Sequence, residues 1–257
     1  MTSPEVPRVN ELAPGVWQFV GARRSAHTYL LKGTRRVALV DSGLPTTTGY
    51  LDACLAEIGL RPADLDLLLL THEHIDHAGG AAHYAPHCIV AAHPHAANKL
   101  HLADEFSLMN KAFSEPVSPF EVDLQYDEGT VVDLGGVTLE VIHTPGHCSG
   151  SVCLYVPQRR MLVSGDTIMA HGIVGGVLMS GNTSDYISSL QRLQRLRIDG
   201  LLPGHGRISS EADADLLGGL ARLRGMIDDS HTLFTAMRET GRGFDDVMRS
   251  LRDLNVL

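Results

Sequence analysis

Thr71-His72-Glu73-His74-Ile75-Asp76-His77 brings three imidazoles and an aspartate together within six residues. The stretch follows Leu67-Leu68-Leu69-Leu70, an apolar run long enough for a buried strand and too short for a helix. A strand that ends in potential ligands delivers them to a sheet edge, where the ligand sites of α/β proteins lie. Imidazole nitrogen and carboxylate oxygen form the donor set preferred by zinc, with iron and manganese as competitors. A histidine-rich surface loop would need neither the Asp between the imidazoles nor matching pieces downstream.

Three such pieces exist, each behind an apolar segment. His147 closes Val141-Ile142-His143-Thr144-Pro145-Gly146-His147, and Asp166 follows Met161-Leu162-Val163-Ser164-Gly165. His205 stands in Leu201-Leu202-Pro203-Gly204-His205-Gly206. Gly or Pro adjoins each polar residue, as expected where a strand stops and the backbone turns sharply. Four strand ends delivering five histidines and two aspartates to one edge point to a dinuclear metal site. Structural zinc sites are usually closed and cysteine-rich, so seven N/O ligands on loops favour catalysis.

In this ordered set of motifs the chain resembles the metallo-β-lactamase fold hydrolases, over about residues 14 to 210. Their HxHxDH motif matches His72, His74, Asp76 and His77, and their later ligands match His147, Asp166 and His205. Leu39-Val40-Asp41-Ser42-Gly43 is similar to the family's early strand-turn, whose Asp supports the metal loop from behind. The resemblance implies an α/β fold, a four-layer αββα sandwich of two similar halves, with residues 1–209 as the domain. Residues 210–257 are then a helical C-terminal extension packed on it. It implies that His72, His74 and His147 hold one divalent metal, that Asp76, His77 and His205 hold the other, and that Asp166 bridges them. Zinc is the first expectation, iron or manganese the alternatives. Two such cations lower the pKa of a bound water, so a hydroxide between them attacks a carbonyl and no Ser or Cys nucleophile is required. Asp76 is the expected catalytic residue, orienting that hydroxide and passing a proton to the leaving group.

Composition sets limits. A length of 257 residues suits one domain with a sizeable core. A net charge of −9 argues against a surface built to grip phosphate backbones. No apolar stretch reaches the roughly 18 residues of a membrane span, and Met1-Thr2-Ser3-Pro4-Glu5 lacks the features of a signal peptide. A soluble cytoplasmic protein without disulfides is therefore expected, with a homodimer as the commonest default. Cys148 adjoins His147, but the ligand set is complete without it, so it reads as a small residue packed in a loop.

Patterning places the remaining elements. Helices are expected over Thr46 to Ile58, Ala78 to Tyr84 and from Pro94. Thr183-Ser184-Asp185 is expected to cap a further helix, carrying Tyr186 to Leu196. Residues 101 to 128 read as a loop or insertion over the active-site edge. One long helix is expected from Ser210, and one or two more from Ser230, with Gly241-Arg242-Gly243 as the break. His143 is a candidate partner of a metal ligand, and His171 a candidate substrate contact.

The expected substrate is a small acyl molecule with an ester-like carbonyl, a thioester or a lactone. Met169 to Gly181 would form an apolar lip, facing Phe106, Met109, Phe113 and Phe120. The alternatives are a nucleic-acid hydrolase, opposed by the acidic charge, and an iron-dependent redox enzyme. The redox reading is opposed by the complete second-site set Asp76, His77, Asp166 and His205.

Overall fold

Short apolar runs with few charges become strands, the central ones buried on both faces, and they assemble into two sheets. A computed structural model describes residues 6–240 together with Gly243. The first sheet takes its strands in chain order: β1 (Val9–Ala13), β2 (Val16–Phe19), β3 (Thr28–Lys32), β4 (Val37–Val40), β5 (Leu67–Leu69), β6 (Ile89–Ala92) and β7 (Leu124–Gln125). Strands β1 to β4 are antiparallel, and β4 to β7 are parallel. Between them lie α1 (Thr48–Glu57), α2 (Ile75–Ala78), α3 (Ala81–Tyr84), α4 (Pro94–His101), α5 (Glu105–Leu108) and α6 (Asn110–Phe113). The second half contributes β8 (Val131–Asp133), β9 (Thr138–His143), β10 (Val152–Val156), β11 (Met161–Gly165) and β12 (Gly200–Pro203). These pair in the order β12-β11-β10-β9-β8. The last helices are α7 (Thr183–Leu193) and α8 (Ala212–Thr240).

Three apolar clusters define four layers. Leu31, Val40 and Leu69 of the first sheet meet Val141, Leu154 and Val163 of the second in the central core. The other face of the first sheet buries Leu30, Leu39 and Leu68 against Leu51, Leu55 and Tyr84 of the helices. The outer face of the second sheet buries Cys153 and Leu162 against Tyr186 and Leu190 of α7 and Leu216 and Leu220 of α8. The αββα sandwich expected from the sequence is the fold observed.

Strand direction concentrates the chemistry. β9 and β11 both run antiparallel to β10, and β12 runs parallel to β11. The loops leaving β9, β11 and β12 therefore emerge at one edge, and the backbone N–H of Val152 donates to the Thr71 carbonyl at 2.9 Å, joining that edge to the loop after β5.

Several boundaries differ from those read in the sequence. The helix expected at Ala78 starts at Ile75, inside the motif, and breaks at Gly79-Gly80 into α2 and α3. At Gly79 a side chain would strike the Ile75 carbonyl at 2.3 Å. Asn182, one residue before the expected cap, bonds the amides of Ser184 and Asp185. The insertion contains α5, α6 and β7. Helix α8 continues through Ser230, whose hydroxyl is absorbed by the Met226 carbonyl at 2.7 Å; the expected break at Gly241-Arg242-Gly243 and the tail beyond lie largely outside the described residues. No helix among the described residues is long and apolar enough to cross a membrane.

Leu154 is fully buried between β9 and β11. Leu154→Ala should cost about 2–5 kcal/mol through lost transfer energy and the cavity left behind. Chemical denaturation checks this, and a cost below about 1 kcal/mol would show a core loose enough to collapse around the gap.

Candidate metal centre

Asp41 ends β4 with φ +62, a backbone conformation that costs a non-glycine residue energy and is held here by its side chain. Its Oδ1 accepts the Thr71 amide at 2.7 Å, and its Oδ2 accepts the Thr71 hydroxyl at 2.8 Å. Nδ1 of His77 lies 2.8 Å from the same Oδ2. A buried carboxylate thereby fixes the turn after β5 and turns Nε2 of His77 toward the open edge.

All seven residues singled out in the sequence converge there. Nε2 of His72 and Nε2 of His147 each stand 3.0 Å from Nδ1 of His74. On the other side Nε2 of His205 lies 3.0 Å from Oδ2 of Asp76, and Nε2 of His77 lies 3.9 Å from it. Asp166 stands between the groups: Oδ2 is 3.7 Å from His147 Nε2, while Oδ1 is 3.3 Å from His77 Nε2 and 3.7 Å from His205 Nε2. A side chain on Gly204 would meet His77 at 2.5 Å and Asp166 at 2.7 Å, so the backbone passes the site only as glycine.

The electrostatics call for cations. Burial and then neighbouring imidazoles push His72 well below its ordinary pKa and His74 down to about 3. Burial alone would lower His77, but the carboxylates of Asp166, Asp76 and Asp41 hold it well above the ordinary value. Burial opposes ionisation of Asp76 and Asp166, yet the charge of His77 outweighs it and keeps both below the usual carboxylate range. His77 Nε2 and Asp166 Oδ1 are buried and face each other at 3.3 Å without an aligned hydrogen bond to any described residue. Unpaired buried atoms of this kind are costly in a folded chain. Three converging imidazole nitrogens and a carboxylate with one oxygen toward each group fit two divalent cations, the arrangement the clusters define.

A second layer of contacts was not legible in the sequence. Glu73 is fully buried and ion-paired with Lys99 of α4, which also donates to Ser149 and Ser180 at 2.9 and 2.7 Å. This pair ties the first ligand loop to the loops after His147 and before α7. Cys148 Sγ lies 3.2 Å from Glu73 Oε2 and 3.1 Å from Ser151 Oγ, and burial pushes the thiol well up. It is a packed thiol, as the sequence suggested, and all four cysteines are free. His27, passed over in the sequence, accepts from the Gly21 amide at 2.9 Å and donates to the Gly206 carbonyl at 2.7 Å, bracing the His205 loop.

Three expectations need correction. His171 does not line the cleft: its amide donates to Asp215 of α8 at 2.6 Å, and its φ of +63 turns it onto that helix. Phe120 packs under the helices with Ile75 and Leu108, whereas Met109 and Phe113 do wall the cleft opposite Leu178. His143 touches no ligand side chain; Nε2 donates to the Ser149 carbonyl at 3.0 Å and the ring stacks on His93 at 3.9 Å.

The chain belongs to the metallo-beta-lactamase superfamily, whose pattern it matches over residues 21–205. It is 32% identical over 212 residues to the acyl-coenzyme A thioesterase MBLAC2 of Gallus gallus, covering 73% of this chain and 75% of that one. It is 27% identical to the atrochrysone carboxyl ACP thioesterase of Aspergillus fumigatus, covering 80% of this chain and 60% of that one. Among solved structures, a metallo-beta-lactamase family protein from Thermus thermophilus shares the fold. Its TM-score is 0.74 at 24% identity, covering 85% of this chain and 82% of that one.

Asp41→Asn should weaken metal binding by about 10- to 100-fold while the chain stays folded, because His77 loses the carboxylate that orients it; competition with a chelator measures this. Lys99→Met leaves Glu73 buried without its cation and should destabilise the fold by about 3 kcal/mol. A thermal unfolding curve unchanged from wild type would mean the pair contributes nothing net.

Proposed function

We propose that His72, His74 and His147 hold one divalent cation, that Asp76, His77 and His205 hold a second, and that Asp166 faces both. The observation that carries this is the carboxylate of Asp166, whose two oxygens address separate nitrogen groups while one of them is buried unpaired. Zinc suits an all-N/O donor set best. Bound there, such cations lower the pKa of water and polarise a carbonyl oxygen.

The reaction we propose is hydrolysis of an acyl thioester, and the relatives named as thioesterases support that class. The chain's own residues supply three things. Asp76, whose carboxylate lines the cleft, is placed to accept a proton from the attacking water and return it to the departing thiolate. Met109, Phe113 and Leu178 form an apolar wall that excludes water and takes the acyl group. Met109 also lines a neighbouring cavity of about 550 Å³ with Phe106 and Met179, so a longer chain has room to continue. A nucleic acid would need cations along this cleft, and Arg24 is the one that lines it among the described residues.

Elemental analysis beside assays on a thioester, a lactone and a short RNA tests the reading. Close to two cations per chain and turnover of the thioester are expected, abolished by chelation and restored by zinc. His72→Ala and Asp166→Ala should lose metal and turnover together; a variant that keeps turning over would refute the dinuclear assignment. Cleavage of RNA alone would replace the substrate class.

A further inference from the structure

An acidic protein that works on a negatively charged substrate needs a local cation at the cleft. This chain carries a net charge of −9, and Asp76 and Asp166 line its cleft floor. Arg24 is the permanently charged cation at the rim.

Its placement is built. Arg24 lies in the turn between β2 and β3, directly after Arg23, whose φ of +54 is a left-handed conformation. The guanidinium carbon stands 4.2 Å over the Phe113 ring, and Nη1 donates to the Ala112 carbonyl at 3.2 Å. Two elements distant in sequence therefore hold the group at the cleft mouth. Some guanidiniums, such as Arg61, Arg160 and Arg192, are neutralised by Asp64, Asp199 and Glu128, and others stand free, but among the described residues Arg24 is the arginine that lines the cleft. Arg24 has no carboxylate partner among the described residues. Of the five N–H donors of a guanidinium, a single one is engaged among the described residues, and the planar fork matches a phosphate or carboxylate.

We infer that Arg24 is an anion receptor that selects thioesters carrying a phosphate or carboxylate group, gripping that group while the thioester carbonyl lies over the metal ligands. The inference rests on the thioesterase reading and names the substrate class within it. The anion belongs either to the thiol carrier or to the acyl group, and the chemistry of the grip is the same for both.

The test uses the full chain loaded with zinc and three esters. Butyryl-coenzyme A carries phosphates on the thiol side, the succinyl ester of N-acetylcysteamine a carboxylate on the acyl side, and the butyryl ester of N-acetylcysteamine no charge. Arg24→Ala should lower kcat/KM for one anionic ester about tenfold or more beyond its effect on the uncharged ester, chiefly through KM. Arg24→Lys should recover part of that preference, and added salt should erode it in the wild type. The ester affected identifies which end is gripped. Arg24→Gln keeps a donor for the Ala112 carbonyl and carries the test where Arg24→Ala unfolds. Equal losses on all three esters, or none, would overturn the inference and leave Arg24 as a wall of the cleft. A wild type that hydrolyses the uncharged ester best would overturn it as well. If the wild type turns over none of the three, the thioesterase reading itself falls, and the inference with it.

Discussion

The carboxylate of Asp41 is the constraint on which the rest of the site depends. An anion sealed from water is tolerated only when its lone pairs are filled. Here the amide and hydroxyl of Thr71 and Nδ1 of His77 fill them. Satisfying that one buried charge fixes where the chain turns after β5 and which nitrogen of His77 faces the cleft. It also holds Asp41 itself in an unfavourable backbone conformation. The ligand loop is thus held by bonds of the protein's own, which orient its imidazoles from behind. Glu73 and Lys99 perform a similar service one residue away, between His72 and His74.

Much of this was legible in the sequence, for a physical reason. Five of the seven residues stand within a few positions of a strand end, Asp76 and His77 follow in α2, and short apolar runs closed by Gly or Pro reveal strand ends locally. The family, the layered fold and the hydrolase class agree with what those motifs implied. The seven-strand and five-strand sheets were less legible, because β1 and β7 are short, largely exposed edge strands. Glu73 and Lys99 stand in no motif that marks them as partners. Only the fold brings them together across 26 positions. His171 and Phe120 show the same limit: type and position suggested the cleft, while tertiary packing directed one to α8 and the other beneath the helices. In α8 a break was expected at Ser230. A serine that bonds back to its own helix let the helix run on.

The insertion between α4 and β7 sets what can approach the centre. Its short helices turn at Met109 and Ser114, both in left-handed backbone conformations, so the segment folds back sharply on itself. The fold-back brings Met109 and Phe113 to the cleft. The neighbouring loop after Asp166 supplies the facing wall through Leu178. The walls thus come from loops and the ligands from strand ends. Substrate preference can then drift in evolution without disturbing the chemistry.

Neither sheet owns a complete cluster. His72, His74, Asp76 and His77 leave the first sheet, whereas His147, Asp166 and His205 leave the second. With cations held as proposed, each ion is a rivet through the seam of the sandwich. The free energy of ion binding then adds to the docking of one half on the other, beyond the internal stability of either. Scarcity of metal would then be felt as a weaker seam, held by the central apolar core alone.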